Sequence, residues 1–267
     1  GKVFSANPKE AQLFADTEKI TFRVEDGMLV GENTDAEWCV ATPVSEAYDV
    51  INISVNAQEK WVSLFDGKTT NGWHSYGEKA AGATWKAVDG VLVFDPSAKV
   101  NGKGGGDLVS DESFNDFHLQ LEWKISKNGN SGIMFFVQDN PAKYEYTFYT
   151  GPEFQVLDNE GHPDAKIISH RAGNLYDLIV GKEGYVKPYG EWNKVDIISS
   201  KGVLELKMND VTVVKTHLGD DSWKELIRRS KFAKGETPDF GKVFSGHIAL
   251  QDHGDKVSYR NIRIQKL

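Results

Sequence analysis

Phe117-His118-Leu119-Gln120-Leu121-Glu122-Trp123-Lys124-Ile125 alternates apolar and polar residues without a break. Successive side chains of an extended chain point to opposite faces. Phe117, Leu119, Leu121, Trp123 and Ile125 therefore share one face, and His118, Gln120, Glu122 and Lys124 share the other. Strict alternation of this kind marks a strand with one face buried.

Similar runs recur on either side, separated by turn chemistry. Trp85 to Val88 and Val91 to Phe94 flank Asp89-Gly90, and Asp-Gly between two such runs signals a tight hairpin. Lys194 to Ser199 and Val203 to Met208 flank Ser200-Lys201-Gly202, and Val211 to Thr216 follows Asn209-Asp210. Gly132 to Gln138 is a near-continuous apolar strand, and Gly246 to Gln251 and Val257 to Gln265 close the chain, the first continuing in the same parity to His253. One helix is expected, over Ser222 to Ser230, with Asp220 or Asp221 as its N-cap. The Lys231 to Lys242 segment reads as a surface loop. Val24 to Val30 resembles Ala87 to Val93, and Tyr48 to Val55 parallels Phe114 to Leu121. Either residues 1–58 are a degenerate copy of the opening hairpin unit, or two ordinary hairpins share a turn; a β extension packing on the rest is expected. Many evenly spaced strands with one short helix predict an all-β jelly-roll sandwich of two antiparallel sheets. The domains expected are 1–58 and 59–267.

The formal charge of −8 leaves no basic stripe for phosphates, which argues against a nucleic-acid partner. No apolar run is long enough to span a bilayer. The single cysteine, Cys39, rules out an intramolecular disulfide and reads as a small buried hydrophobe. The start at Gly1-Lys2-Val3 reads as a processed or trimmed end, its leader removed.

Gly151-Pro152-Glu153-Phe154-Gln155-Val156-Leu157-Asp158 carries the chemistry. Strand parity places Glu153 and Gln155 on one face and Phe154 and Val156 on the other. A carboxylate beside an amide suits a sugar-sized substrate; the plainer reading is a solvated outer face.

The chain resembles a known family through motifs in a fixed order. Phe65-Asp66-Gly67-Lys68 with Gly72-Trp73 comes first, then Gly106-Asp107-Leu108-Val109, Asn130-Ser131-Gly132 and Gly151 to Gln155. Glu191-Trp192-Asn193, Gln251-Asp252-His253-Gly254 and Arg260-Asn261-Ile262 follow. This set is similar to the 3-keto-disaccharide hydrolase domain family over residues 61–267. The resemblance implies a concanavalin A-like β-sandwich, a periplasmic or secreted setting and a carbohydrate substrate. It also implies hydrolysis of 3-keto-glycosides. A ketone at sugar C3 acidifies the C2 proton, so one base can remove it, expel the C1 substituent and let water add. An ordinary glycosidase would instead flank the bond with two carboxylates, and Asp158 falls off the Glu153 face. A lectin-like sandwich that binds glycans without turnover is the alternative.

Glu153 is the expected base or acid and His253 the second proton-transfer group, an imidazole titrating near neutrality, or else a turn histidine. Gln155, Asn130, Ser131, Gln251 and Arg260 are expected to contact sugar, although Arg260 could instead pair with Asp252. Tyr176 and Trp192 are candidate stacking platforms, or core aromatics. His162, Asp164, His170 and Asp158 lie close in sequence, yet their spacing fits no strong zinc signature. No metal and no cofactor is expected. Gly102 to Gly106 reads as a flexible loop.

Overall fold

A computed structural model describes residues 10–15, 18–25, 28–32, 60–235 and 237–267. The chain divides into two compact units, Gly1–Lys60 and Trp61–Leu267. In the first, β1 (Glu10–Ala15), β2 (Glu18–Glu25) and β3 (Met28–Glu32) form an antiparallel sheet. Glu25 pairs with Met28 across residues 26 and 27. Cys39 and Tyr48 to Val55 lie outside the described residues.

The second unit begins with β4 (Val62–Ser63), β5 (Trp73–Ser75), β6 (Trp85–Val88) and β7 (Val91–Phe94). β8 (Leu108–Phe114), β9 (Phe117–Ile125), β10 (Asn130–Val137) and β11 (Glu153–Leu157) come next. β12 (Asn193–Ser200), β13 (Val203–Met208) and β14 (Val211–His217) lead to α1 (Asp221–Arg229), and β15 (Gly246–Leu250) and β16 (Val257–Lys266) end the chain. One sheet has the order β14-β13-β12-β9-β16-β7-β6, with β4 paired to β16; the other runs β11-β10-β15-β8-β5. All pairings are antiparallel. This is a concanavalin A-like jelly-roll sandwich.

The alternation in β9 is realised residue by residue: its five apolar side chains are buried and the four between them are not. Those apolar residues meet Ile133, Phe135, Phe154, Val156 and Leu250 from the facing sheet in one continuous core. Phe117 of β9 and Phe136 of β10 touch edge to face at 5.8 Å, which ties the two layers together. The hairpins close as their turn residues require. Asp89 and Gly90, and Lys201 and Gly202, all take positive φ, the backbone a two-residue turn needs to match strand twist. Asp220 caps α1 by accepting the Trp223 N–H at 2.7 Å. Trp223 buries itself against the sandwich and donates its indole N–H to the Gly241 carbonyl at 2.7 Å. The segment after the helix is thereby fixed. Among the described residues no helix is long and apolar enough to cross a membrane.

Candidate active site

The site lies on the outer face of the five-stranded sheet. In β11, Phe154 and Val156 enter the core, so Glu153 and Gln155 turn the other way. β10 pairs with it so that Gly132 stands opposite Gln155 and Met134 opposite Glu153. Asn130 shares that outer face. Ser131, one residue on, points inward and bonds to the Gln251 carbonyl at 2.8 Å and the Tyr259 hydroxyl at 2.9 Å. Val109, Met134, Val137 and Ala249 form an apolar floor beside the polar groups.

Loops then build walls over this face. Asn130, Glu153, Gln155, Gln251 and His253 enclose a cavity of about 250 Å³ together with Phe148, Tyr176, Lys231 and Phe232. Glu153 is 6% exposed despite facing away from the core. Gly132 makes room for it: a Cβ there would lie 1.9 Å from Glu153 Oε1 and 2.5 Å from its carboxyl carbon. Burial drives the Glu153 pKa up to about 8; Lys231 opposes the rise, while Asp107 and Asp164 add to it. Among the described residues no hydrogen bond offsets the loss of water around this carboxyl.

The opposite wall is cationic and aromatic. Lys231 Nζ lies 3.0 Å from the Tyr176 hydroxyl and 4.3 Å from the centre of its ring. Tyr176 rests on the imidazole of His170, 4.3 Å between centroids. His170 is in turn fixed between Asp164 at 3.0 Å and Asp177 at 3.1 Å. Burial, then Asp164 and Glu153, push the Tyr176 phenol pKa upward.

β15 stops at Leu250, so Gln251 to His253 are irregular chain rather than the strand end expected from sequence. This segment is locked by Asp252. Its N–H donates to Asp107 at 2.8 Å, and its carboxylate accepts from Lys99 and from the Gly106 N–H, both at 2.8 Å. Gln251 and His253 therefore flank a fixed residue and face the cavity. Gln251 Oε1 is buried with no hydrogen-bond partner among the described residues. Asp107 itself is pushed up to about 6 by burial, against the Thr147 hydroxyl and Asp252 N–H that it accepts. His253 contacts Asn130 at 3.4 Å, a long approach, and its pKa is lowered, first by desolvation, with Asp255 opposing.

Three residues expected from sequence to contact sugar stand apart from the cavity. Ser131 faces the interior for reasons of parity. Arg260 pairs with Glu122 at 2.6 Å on the other sheet, not with Asp252. Its guanidinium lies 4.1 Å from the centre of the Trp192 ring, which also takes Lys124 at 4.8 Å. Tyr259 next to Arg260 is buried in the core, so alternation sends Arg260 and its partner Trp192 outward. Phe148, Lys231 and Phe232 were missed because they arrive on loops. The only sequence signals for them are the aromatic run Tyr144 to Tyr149 and the Ser230 cap on the turn that holds Phe232. The histidines also regroup. His170 stays with Asp164, but His162 lies against His253, 6.2 Å between rings, with Asp255 alongside.

Residues 60–265 match the family model described as the 3-keto-alpha-glucoside-1,2-lyase-like domain. The chain belongs to this family. Among relatives, the 3-keto-disaccharide hydrolase of Bacteroides thetaiotaomicron is 37% identical over 239 residues, covering 82% of this chain and 82% of that protein. A crystal structure of a candidate glycosyl hydrolase from Parabacteroides distasonis superposes with a TM-score of 0.71 at 30% identity, over 78% of this chain and 94% of that one. A second from the same organism gives 0.55 at 27% identity, over 78% and 84%. Membership in the family makes this chain an enzyme.

Proposed function

We propose that this protein hydrolyses 3-keto-glycosides or 3-keto-disaccharides by elimination across C1 and C2 followed by hydration. The observation that carries this reading is Glu153, a lone carboxyl buried in a ring-sized cavity with its pKa raised to about 8. A base of that strength is better matched to a carbon acid than an ordinary carboxylate, because proton transfer follows Brønsted behaviour. At pH 7 about a tenth of it is ionised, and substrate can use that fraction.

Ionised Glu153 takes the C2 proton, and the electron pair moves into an enolate whose oxygen is the former C3 ketone. Lys231 supplies positive charge and a donor for that oxygen. The enolate expels the C1 oxygen, which takes a proton at the mouth, where His253 stands. Water then adds at C1, and protonated Glu153 returns a proton to C2, giving the 3-keto sugar and the free aglycone. Gln155 and Asn130 line the path of the ring, and the unsatisfied Gln251 Oε1 is an acceptor for a sugar hydroxyl. The cavity is smaller than a drug-sized site, which suits one sugar ring with its aglycone outside.

The test compares aglycone release from a 3-keto-glycoside and from its unoxidised parent, with Glu153→Gln as control. Cleavage of the keto compound alone, lost in Glu153→Gln, is expected. Cleavage of the parent, or full activity in Glu153→Gln, would overturn the assignment; glycan binding without cleavage would favour a lectin-like role.

A further inference from the structure

We propose that His162, His253 and Asp255 form a binding site for one divalent first-row metal ion at the mouth of the Glu153 cavity. The three side chains come from two separate loops, and their donor atoms all lie within 4.8 Å of one another. The two imidazoles meet edge to face at 80° with 6.2 Å between centroids, so the rings are not stacked on each other. Asp255 is held from behind: its Oδ2 accepts the Asn130 N–H at 3.0 Å, which leaves Oδ1 for a cation. Supporting bonds of this kind orient metal ligands in established sites. His253 lines the cavity, so an ion held here would border the substrate.

Two imidazoles and one carboxylate are a donor set that suits zinc, and also manganese or iron, with positions left open for water or substrate. A tetrahedral ion about 2.1 Å from each donor requires them to be about 3.4 Å apart, so the ligands draw in by no more than about 1.4 Å. One local cost follows. His162 Nδ1 now accepts the Asp164 N–H at 3.1 Å, and a metallated neutral imidazole must carry its proton on the other nitrogen. Loading therefore gives up that cap bond.

The role of the ion in turnover rests on the elimination reading above. An enolate at C2 and C3 offers two vicinal oxygens, a chelate for a cation at the mouth. A bound water would give its proton to the departing C1 oxygen. The hydroxide left behind would add at C1 as Glu153 returns its proton to C2, so the atoms balance without any further reactant.

Isothermal titration of the chelator-treated protein with Zn²⁺ and with Mn²⁺ tests the site without substrate. One equivalent is expected to bind, at least about tenfold more weakly in His162→Ala and Asp255→Asn, and unchanged in Glu153→Gln. No binding of either ion, or undiminished binding in both ligand variants, would overturn the site. Aglycone release from a 3-keto-glycoside before and after chelation separates the two ideas. Cleavage that survives chelation, with no ion bound, sinks the metal and spares the elimination reading. A bound ion with no cleavage spares the site and sinks that reading.

Discussion

Gly132→Ala should disable the protein while leaving its fold in place. Gly132 lies in β10 opposite Gln155, and its backbone φ is not in the left-handed region, so alanine can adopt it without strain. Its carbonyl keeps the Gln251 N–H bond at 2.9 Å whatever the side chain. The added methyl, however, meets Glu153 Oε1 at 1.9 Å, Cδ at 2.5 Å and Cγ at 2.8 Å. Real Cβ contacts do not fall below 3.0 Å, so the carboxyl must retreat by at least 1.1 Å. A displacement of about 1 Å at a reacting group can cost about a hundredfold in rate. Removing glycine's freedom in the unfolded chain contributes about 0.4–1 kcal/mol the other way, which limits the net change in melting temperature. The assay is kcat/KM for aglycone release alongside calorimetric unfolding. Adding Glu153→Asp, shorter by one methylene, should recover part of the lost rate by relieving the clash. A folded Gly132→Ala protein with kcat/KM near the parent value would refute the claim that this glycine seats the catalytic carboxyl.

Glu153→Gln should gain stability as activity disappears. The folded pKa of Glu153 is raised from 4.5 to about 8, so the folded state binds the proton more tightly and the parent protein loses stability as pH climbs between those values. Glutamine never ionises, so denaturant unfolding should show the variant ahead at pH 9 by several kcal/mol, with about 5 kcal/mol as the ceiling, and level near pH 4. An equal margin at both pH values would contradict the burial argument. For the parent, kcat/KM should rise with pH and level off above about 8, as the base ionises. Lys231→Met removes the charge that favours ionised Glu153, so this rising limb should move to higher pH; an unmoved limb would show that Lys231 acts elsewhere.

Period-two patterning made the sandwich legible, because a face either buries its side chains or does not. The β9 alternation and the turns at Asp89-Gly90 and Lys201-Gly202 carried through to the fold for that reason. The same parity put Glu153 and Gln155 on one face. Parity says nothing, however, about which outward face of which sheet becomes a site. Arg260 and Trp192 sit on an outward face as polar as that of Glu153, but on the other sheet, where they pair with Glu122 and with each other. Register was equally out of reach: the need for Gly132 appears only once β10 is laid against β11. Phe148 and Lys231 come from loops whose paths depend on packing far from the strand they cover. His162 reaches His253 in the same way, which is why its near neighbours in sequence suggested a different grouping.

The cavity wall is therefore part of the chemistry. An outward-facing glutamate on a bare sheet would sit in water with an ordinary pKa. Burial is the largest cause of its shift, and Phe148, Tyr176 and Phe232 are among the residues that wall its cavity. Phe148 packs on the buried Val109, Met134, Val137 and Ala249 cluster, and the other two are held by buried groups as well. Phe232 stacks on Phe240 at 3.8 Å, and its carbonyl accepts the Thr237 hydroxyl at 2.7 Å. The Trp223 bond to Gly241 fastens the far end of the same segment to α1. Tyr176 is backed by His170 and its two carboxylates. Loosening any of these should admit water to Glu153 and lower its pKa toward 4.5, which on the proposed mechanism weakens it as a base for a carbon acid. On the proposed mechanism, core packing under α1 therefore bears on the base strength of Glu153.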